Sequence, residues 1–217
     1  GGNAAWGYLY LGIGLHRLND IKQARAAFEQ ATTLAPDVDW IRFQAGEFYE
    51  AIGDFEAAQQ QYEKLVEVSS NVSWGHNTLG DFFARRDRPA DALREYQAAA
   101  QAAPNTPEVW LKLADGYNTL AQTAEASNAY RRAIEAGPDD HYARAAYAYF
   151  LYTEGDLLSA IDQWKEAARI EPTDCDSLIS IGLAYESLGD TTGARDAYSQ
   201  AAAIEAPEGS TCPSSAR

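Results

Sequence analysis

The side chains best suited to chemistry in this sequence are three histidines, two cysteines and 32 carboxylates. His16, His76 and His141 stand far apart, with no histidine or cysteine beside them at metal-ligand spacing, so they are expected as surface or groove histidines. Gly7, Gly12 and Gly14 have the density of a phosphate-binding loop. They fall inside a stretch that reads as helix, follow no strand and lack a following Lys-Ser/Thr, so no nucleotide site is expected. The carboxylates recur at solvent-facing helical positions, and nothing in their spacing pairs them across a cleft. An enzyme needs polar groups that converge in a pocket. The sequence offers none, and the expectation is a non-enzyme without catalytic residues, metal or cofactor. Asn71-Val72-Ser73 matches an N-glycosylation acceptor, which makes Asn71 a candidate modification site.

Composition limits the remaining classes. The 217 residues carry 17 basic and 32 acidic side chains, a formal charge of −15, with 46% hydrophobic content. Nucleic-acid binding needs clustered Lys and Arg to neutralise phosphates, and an anionic membrane surface needs the same. Neither partner is expected. The apolar runs, such as the one near Tyr147–Tyr152, are far shorter than a membrane span, so no insertion is expected. No basic, apolar leader stands at Gly1-Gly2-Asn3.

The elements that would position these residues follow one beat. From Asn19 to Pro36 the chain places Ala24, Phe28 and Ala31 on one helical face, because they are spaced by four and then three residues. A step of 34 from Ala24 gives Ala58, Ala92, Ala126, Ala160 and Ala194. The same step from Phe28 gives Tyr62, Tyr96, Tyr130, Trp164 and Tyr198, aromatic every time. Ala31 leads to Leu65, Ala99, Ala133, Ala167 and Ala201, and Pro36 to Ser70, Pro104, Pro138, Pro172 and Ala206. Upstream, Gly12 leads to Gly46, Gly80, Ala114, Ala148 and Gly182, all small, while Leu15 leads only to large apolar residues. Each unit reads as two short helices. The first covers roughly 5–18 and ends at Asn19-Asp20, matched by Gly53-Asp54, Gly155-Asp156 and Gly189-Asp190, the residues expected past one helix and at the next N-cap. The second covers roughly 21–35 and is stopped by Pro36.

This pattern of small, aromatic, small and proline positions resembles the tetratricopeptide repeat. The resemblance implies an all-α right-handed solenoid of six helix-turn-helix repeats with about twelve helices. The units span 5–38, 39–72, 73–106, 107–140, 141–174 and 175–208, so that 1–208 is the array and 209–217 a Ser/Pro-rich tail. The family's early tryptophan appears only as Trp110. Ser70 replaces a proline, so a different bend is expected at that junction, and the third turn, Arg86-Asp87-Arg88-Pro89, lacks glycine.

The resemblance also implies a partner-holding groove lined by the second, fifth, ninth and twelfth positions of each unit. Here these include Trp6, then Trp40, Phe43, Glu47 and Glu50, then Trp74, Asn77 and Asp81. Asp115, Tyr142, Tyr149 and Tyr152 continue the set. The lysine and asparagine with which chaperone-cofactor members grip a C-terminal carboxylate are missing from the fifth and ninth positions. What remains is an aromatic and acidic surface. Two readings stand for Trp6, Trp40 and Trp74: packing over the preceding unit's second helix, or a stacked strip for a partner segment. Glu47, Glu50, Asp81 and Asp115 either form a solvated acidic face or favour a basic or amide-rich partner.

A stacked array leaves an apolar face at each end, and neither end here shows a polar cap. The array is therefore expected either to be a slice of a longer one or to have its ends covered by another subunit. The second option is head-to-tail self-association, which builds filaments when it does not close. Cys175 opens the sixth unit's first helix and Cys212 lies beyond its second, at the same end of the hairpin, so a disulfide is geometrically plausible. Two reduced thiols and a bridge between chains are the alternatives. A bridge would imply an oxidising compartment, and placement outside the cytoplasm or at the cell surface is favoured on that ground. The expected function is a protein–protein interaction scaffold, self-associating as an oligomer or filament subunit. The alternatives are a peptide-binding adaptor or assembly factor, or the recruitment region of a larger protein.

Overall fold

The computed structural model describes residues 2–204, and among them the chain forms twelve α-helices. They fall into two compact units, Gly1–Ala103 and Pro104–Arg217. The first unit holds three hairpins: α1 (Gly2–Arg17) with α2 (Ile21–Leu34), α3 (Asp39–Ala51) with α4 (Phe55–Val68), and α5 (Val72–Arg85) with α6 (Pro89–Ala102). The second holds α7 (Pro107–Thr119) with α8 (Thr123–Ala136), α9 (His141–Thr153) with α10 (Leu157–Ile170), and α11 (Cys175–Ser187) with α12 (Thr191–Ala203). The expected helices are all present. The first starts at Gly2, earlier than expected, because nothing in Gly2-Asn3-Ala4 stops a helix.

The six hairpin turns share one backbone solution. Asn19, Gly53, Asp87, Ala121, Gly155 and Gly189 all have positive φ, between 54° and 85°. The residue after each donates its N–H to the carbonyl five residues back, as in Asp20 to Leu15 and Asp54 to Tyr49 at 2.9 Å, and Gln122 to Tyr117 at 3.0 Å. A left-handed residue closed by this bond is the Schellman stop. Four aspartates then cap the second helix: Asp20, Asp54, Asp156 and Asp190 accept from the backbone N–H three residues on. At the third turn Pro89 opens α6 without a side-chain cap, and at the fourth Gln122 leaves α8 uncapped.

Packing within each hairpin follows the small-against-aromatic rule. Ala24, Ala58, Ala92, Ala126, Ala160 and Ala194 are all buried, as are Phe28, Tyr62, Tyr96, Tyr130 and Trp164. The small residue opposite the ring is a steric requirement: a Cβ added at Gly46 would lie 2.4 Å from the Tyr62 ring, and at Gly80 2.6 Å from Tyr96. Between hairpins of one unit a second aromatic closes the gap. Phe48 stacks on Phe28 at 4.4 Å, Phe82 meets Tyr62 at 5.4 Å and Phe150 meets Tyr130 at 5.1 Å. Such pairs add to the area they bury.

Candidate functional site: the faces of the first helices

The candidate groove residues stand on α1, α3, α5, α7 and α9, and the structure sorts them into two groups. The first group is aromatic. In the first unit Trp40 lies 5.2 Å from Phe43 in α3, and Phe43 lies 5.4 Å from Trp74 in α5, centroid to centroid. Three rings therefore run continuously across two hairpins. Trp40 is 46% exposed while Phe43 and Trp74 are half-buried, so the strip is anchored from below and open above. Trp6 instead contacts Tyr10 of its own helix, at 6.4 Å. In the second unit Tyr142 and Tyr149 project from α9 and are exposed. Tyr152, one turn on, lies against the Trp164 ring at 5.8 Å.

The second group is acidic, and much of its hydrogen-bonding capacity is used inside the hairpin. The Tyr62 hydroxyl reaches Glu47 at 3.3 Å and Glu50 at 3.2 Å. Tyr96 donates to Asp81 at 2.8 Å and Tyr130 to Asp115 at 2.7 Å. In the sixth hairpin Glu186 accepts from Tyr198. Each of these four second-helix tyrosines thus ends on a carboxylate of the facing helix, which satisfies a hydroxyl that would be costly to leave unpaired. Where the second-helix aromatic is Phe28 or Trp164, the facing positions hold Ile13 and His16, or Tyr149 and Tyr152, and no acid. Burial raises the Tyr62 phenol above its ordinary value, and the charges of Glu47 and Glu50 raise it further. Tyr130 is raised by burial and by Asp115.

Glu50 is the most tightly held of these acids. Arg85, from the next hairpin, grips it with Nε and a terminal nitrogen, both at 2.8 Å. That paired hydrogen bond is the largest influence holding the Glu50 carboxyl below the ordinary range, and bidentate geometry is the strong form of such contacts. Asn77, one turn beyond Trp74, is different: its Oδ1 is buried and accepts no hydrogen bond.

The other candidates are dispersed. His16 meets Phe48 edge-on at 5.3 Å, and His76 Nδ1 lies 2.8 Å from Glu95. Among the described residues no group of His, Cys, Asp or Glu could hold a metal ion. Asn71 is exposed at the N-cap of α5, where its Oδ1 accepts from Trp74 N–H and from the Ser73 hydroxyl. Cys175 opens α11, and no cysteine is free among the described residues. Cys212 and the tail 209–217 lie outside the described residues. Sequence reasoning missed the tyrosine–carboxylate pairs, although Glu47, Asp81 and Asp115 each precede their tyrosine by 15 residues.

A tetratricopeptide-repeat family model matches residues 77–209, and a second model of the same family matches residues 15–71. The chain belongs to the tetratricopeptide repeat family. Among solved structures, the type IV pilus biogenesis factor PilW is similar at 20% identity, with a TM-score of 0.67 over 92% of this chain and 93% of that one. MamA is similar at 23% identity, with a TM-score of 0.62 over 75% of this chain and 89% of that one. YrrB, described as a TPR protein with an unusual peptide-binding site, is similar at 20% identity, with a TM-score of 0.58 over 81% of this chain and 90% of that one. These likenesses establish the fold. No curated protein matches the sequence. Proteins of this family mediate protein interactions and are generally non-catalytic scaffolds. Among the described residues no helix is long and apolar enough to cross a membrane.

Proposed function

We propose that this chain is a non-enzymatic scaffold that holds an extended segment of another protein on the strip Trp40–Phe43–Trp74. The observation that carries this reading is the continuity of the three rings, half-buried beneath and open at Trp40. Aromatic anchors of this kind supply much of the energy at protein interfaces. Glu47 and Asp81 border the strip, and the chain carries a charge of −15, so the segment is apolar with flanking Lys or Arg. A YrrB-like use of the fold, peptide binding, agrees with this.

The test is a titration of tryptophan fluorescence with synthetic peptides of apolar-basic composition, against the same peptides with Glu in place of Lys. Selective binding of the basic series, weakened at least about tenfold by Trp40→Ala, is the expected result. Equal binding by the Trp40→Ala protein would remove the strip from the interface.

Self-association is the second reading, and α1 favours it. Tyr10 is 66% exposed and Leu11 50%, and the helix bears no acidic residue in its first turn and no basic residue before its last. A second copy covering this face would form the head-to-tail contact. Sedimentation that stays monomeric over a wide concentration range would discard it, without bearing on the peptide titration.

A further inference from the structure

One position of the first helices is spent differently from hairpin to hairpin. Arg42, His76, Trp110, Arg144 and Leu178 follow one another at steps of 34 residues. From α3, Arg42 spans the second helices on either side of it. Its Nε donates to the Pro36 carbonyl just past α2 at 2.9 Å, and a terminal nitrogen donates to Gln61 Oε1 of α4 at 2.8 Å. Trp110 and Arg144 repeat the bond to the carbonyl six residues earlier, at 2.8 Å to Pro104 and 3.1 Å to Pro138. His76 reaches Glu95 of α6 instead, at 2.8 Å.

In the sixth hairpin the residue is Leu178. It is short and buried, and it has no donor to offer the Pro172 carbonyl six residues before it. Among the described residues a groove of about 710 Å³ lies there between α10 and α12, with Leu178 and Ile181 of α11 on its apolar floor. That volume falls in the range of pockets that enclose a ligand. Lys165 and Arg169, a turn apart on α10, form one rim, and both are exposed. Lys165 Nζ lies 2.9 Å from the Tyr185 hydroxyl, and Arg169 Nε donates to Glu166 at 2.9 Å. The matching pairs of the other hairpins are Glu29 and Thr33, Glu63 and Glu67, Gln97 and Gln101, Arg131 and Glu135, and Ser199 and Ala203. Two cations at this place are thus particular to α10, on a chain with a net charge of −15. Asp196 and Gln200 of α12 line the opposite wall.

The geometry points to a docking site for a partner protein that inserts a tryptophan into this groove, with Asp or Glu beside it in sequence. The ring takes the place that Trp110 holds in the fourth hairpin and brings an indole N–H to the Pro172 carbonyl. Buried aromatic anchors of this kind concentrate the energy of an interface. An arginine, as at Arg42, suits a wall that carries Glu29 but would here meet Lys165 and Arg169. The same two cations attract the acid next to the ring, and Asp196 repels it from α12, which sets the direction of the segment. The site uses no residue of the Trp40–Phe43–Trp74 strip, and the two select segments of opposite charge.

The test is the fluorescence anisotropy of labelled peptides that carry one tryptophan between Asp and Glu residues, titrated with the full chain. Binding is expected, weakened at least about tenfold when the peptide tryptophan becomes alanine. Leu178→Trp fills the groove with the residue found at Trp110 and is expected to weaken binding as much, with helicity by circular dichroism unchanged. Lys165→Glu with Arg169→Glu alters exposed side chains and is expected to shift the preference to peptides with Lys in place of the acids. Trp40→Ala is expected to leave this binding as it is, which separates it from the strip. No binding of the acidic peptide, equal binding of acidic and basic peptides, or binding indifferent to both groove variants would overturn the site. Self-association that Leu178→Trp abolishes, without peptide binding, would overturn the partner and make the occupant a second copy.

Discussion

The hairpins α3–α4 and α9–α10 occupy equivalent places in their repeats and spend the same positions differently. In the first, Tyr62 sits against Gly46, and its hydroxyl is received by Glu47 and Glu50. In the second, Trp164 faces a helix with Ala148 at the Gly46 position and with Tyr149 and Tyr152 where the acids stand. A tyrosine in the second helix calls for an acid opposite, because its buried hydroxyl needs an acceptor. Trp164 has no carboxylate at either facing position, and Tyr149 projects at 64% exposure. Acids on the first helices are therefore set largely by the ring they serve. Aromatics left exposed on the first helices, such as Trp40 and Tyr149, are the better guide to a partner.

The comparison breaks most sharply at the small residue. Gly46→Val would push a side chain into the Tyr62 ring, where the Cβ alone falls 2.4 Å from a ring atom. Tyr62 is fully buried, so the ring has nowhere to retreat. Overpacking of this kind is expected to cost about 3 kcal/mol, read as a lower midpoint in urea unfolding. The converse change in the other hairpin, Ala148→Gly, only loosens a helix interior and is expected to cost about 1 kcal/mol. Equal losses at the two sites would mean that the ring does not set the size of the residue opposite.

Much of this architecture was legible in the chain because stacking repeats its demands at fixed spacing. The positions of Ala24, Phe28 and Gly12 are restated in every unit by steric need, and the helices formed where that beat placed them. Contacts between hairpins were harder to read. Phe48, Phe82 and Phe150 pack on the ring 20 residues earlier, a spacing that has meaning only once the hairpins are stacked. Glu50 and Arg85 meet across 35 residues for the same reason. The line of tryptophans was visible, but periodicity could not show that Phe43 bridges Trp40 to Trp74 while Trp6 turns to Tyr10. The acids were misleading because solvation and tyrosine pairing leave the same trace in a sequence.

A second, smaller difference concerns charge. Glu50 is held by Arg85 and receives the Tyr62 hydroxyl, whereas the equivalent position of α9 holds Tyr152, packed on Trp164. Since Glu50 titrates below its ordinary value of 4.5 in the fold, its contribution is complete above that pH and is lost as pH falls through the lower folded value. Glu50→Gln is expected to cost about 1 kcal/mol at pH 7, a modest figure because Arg85 is half-exposed. The variant should also flatten the acid limb of the stability profile below pH 4.5. Tyr152→Phe should leave that limb as it is. An acid limb unchanged by Glu50→Gln would show that the paired contact adds nothing to the fold.

The smallest effect lies in the turns, where the same contrast appears in the backbone. The turn before α10 places Gly155 at φ 85° and caps the helix with Asp156, while the turn before α8 places Ala121 at φ 54° and leaves Gln122 without a cap bond. A left-handed alanine crowds its Cβ against its own backbone, a strain glycine lacks. Ala121→Gly should therefore stabilise by about 0.5 kcal/mol, once the added freedom of the unfolded chain is subtracted. Gly155→Ala should destabilise by about 1 kcal/mol through the same crowding. Both follow from thermal unfolding, and hydrogen exchange in α8 and α10 would locate the change in the hairpin concerned. Opposite signs at equivalent positions would show that all six turns require the left-handed residue, and that the fourth hairpin forms it with the wrong side chain. Destabilisation at both would mean instead that the Ala121 methyl group makes a contact worth more than the strain.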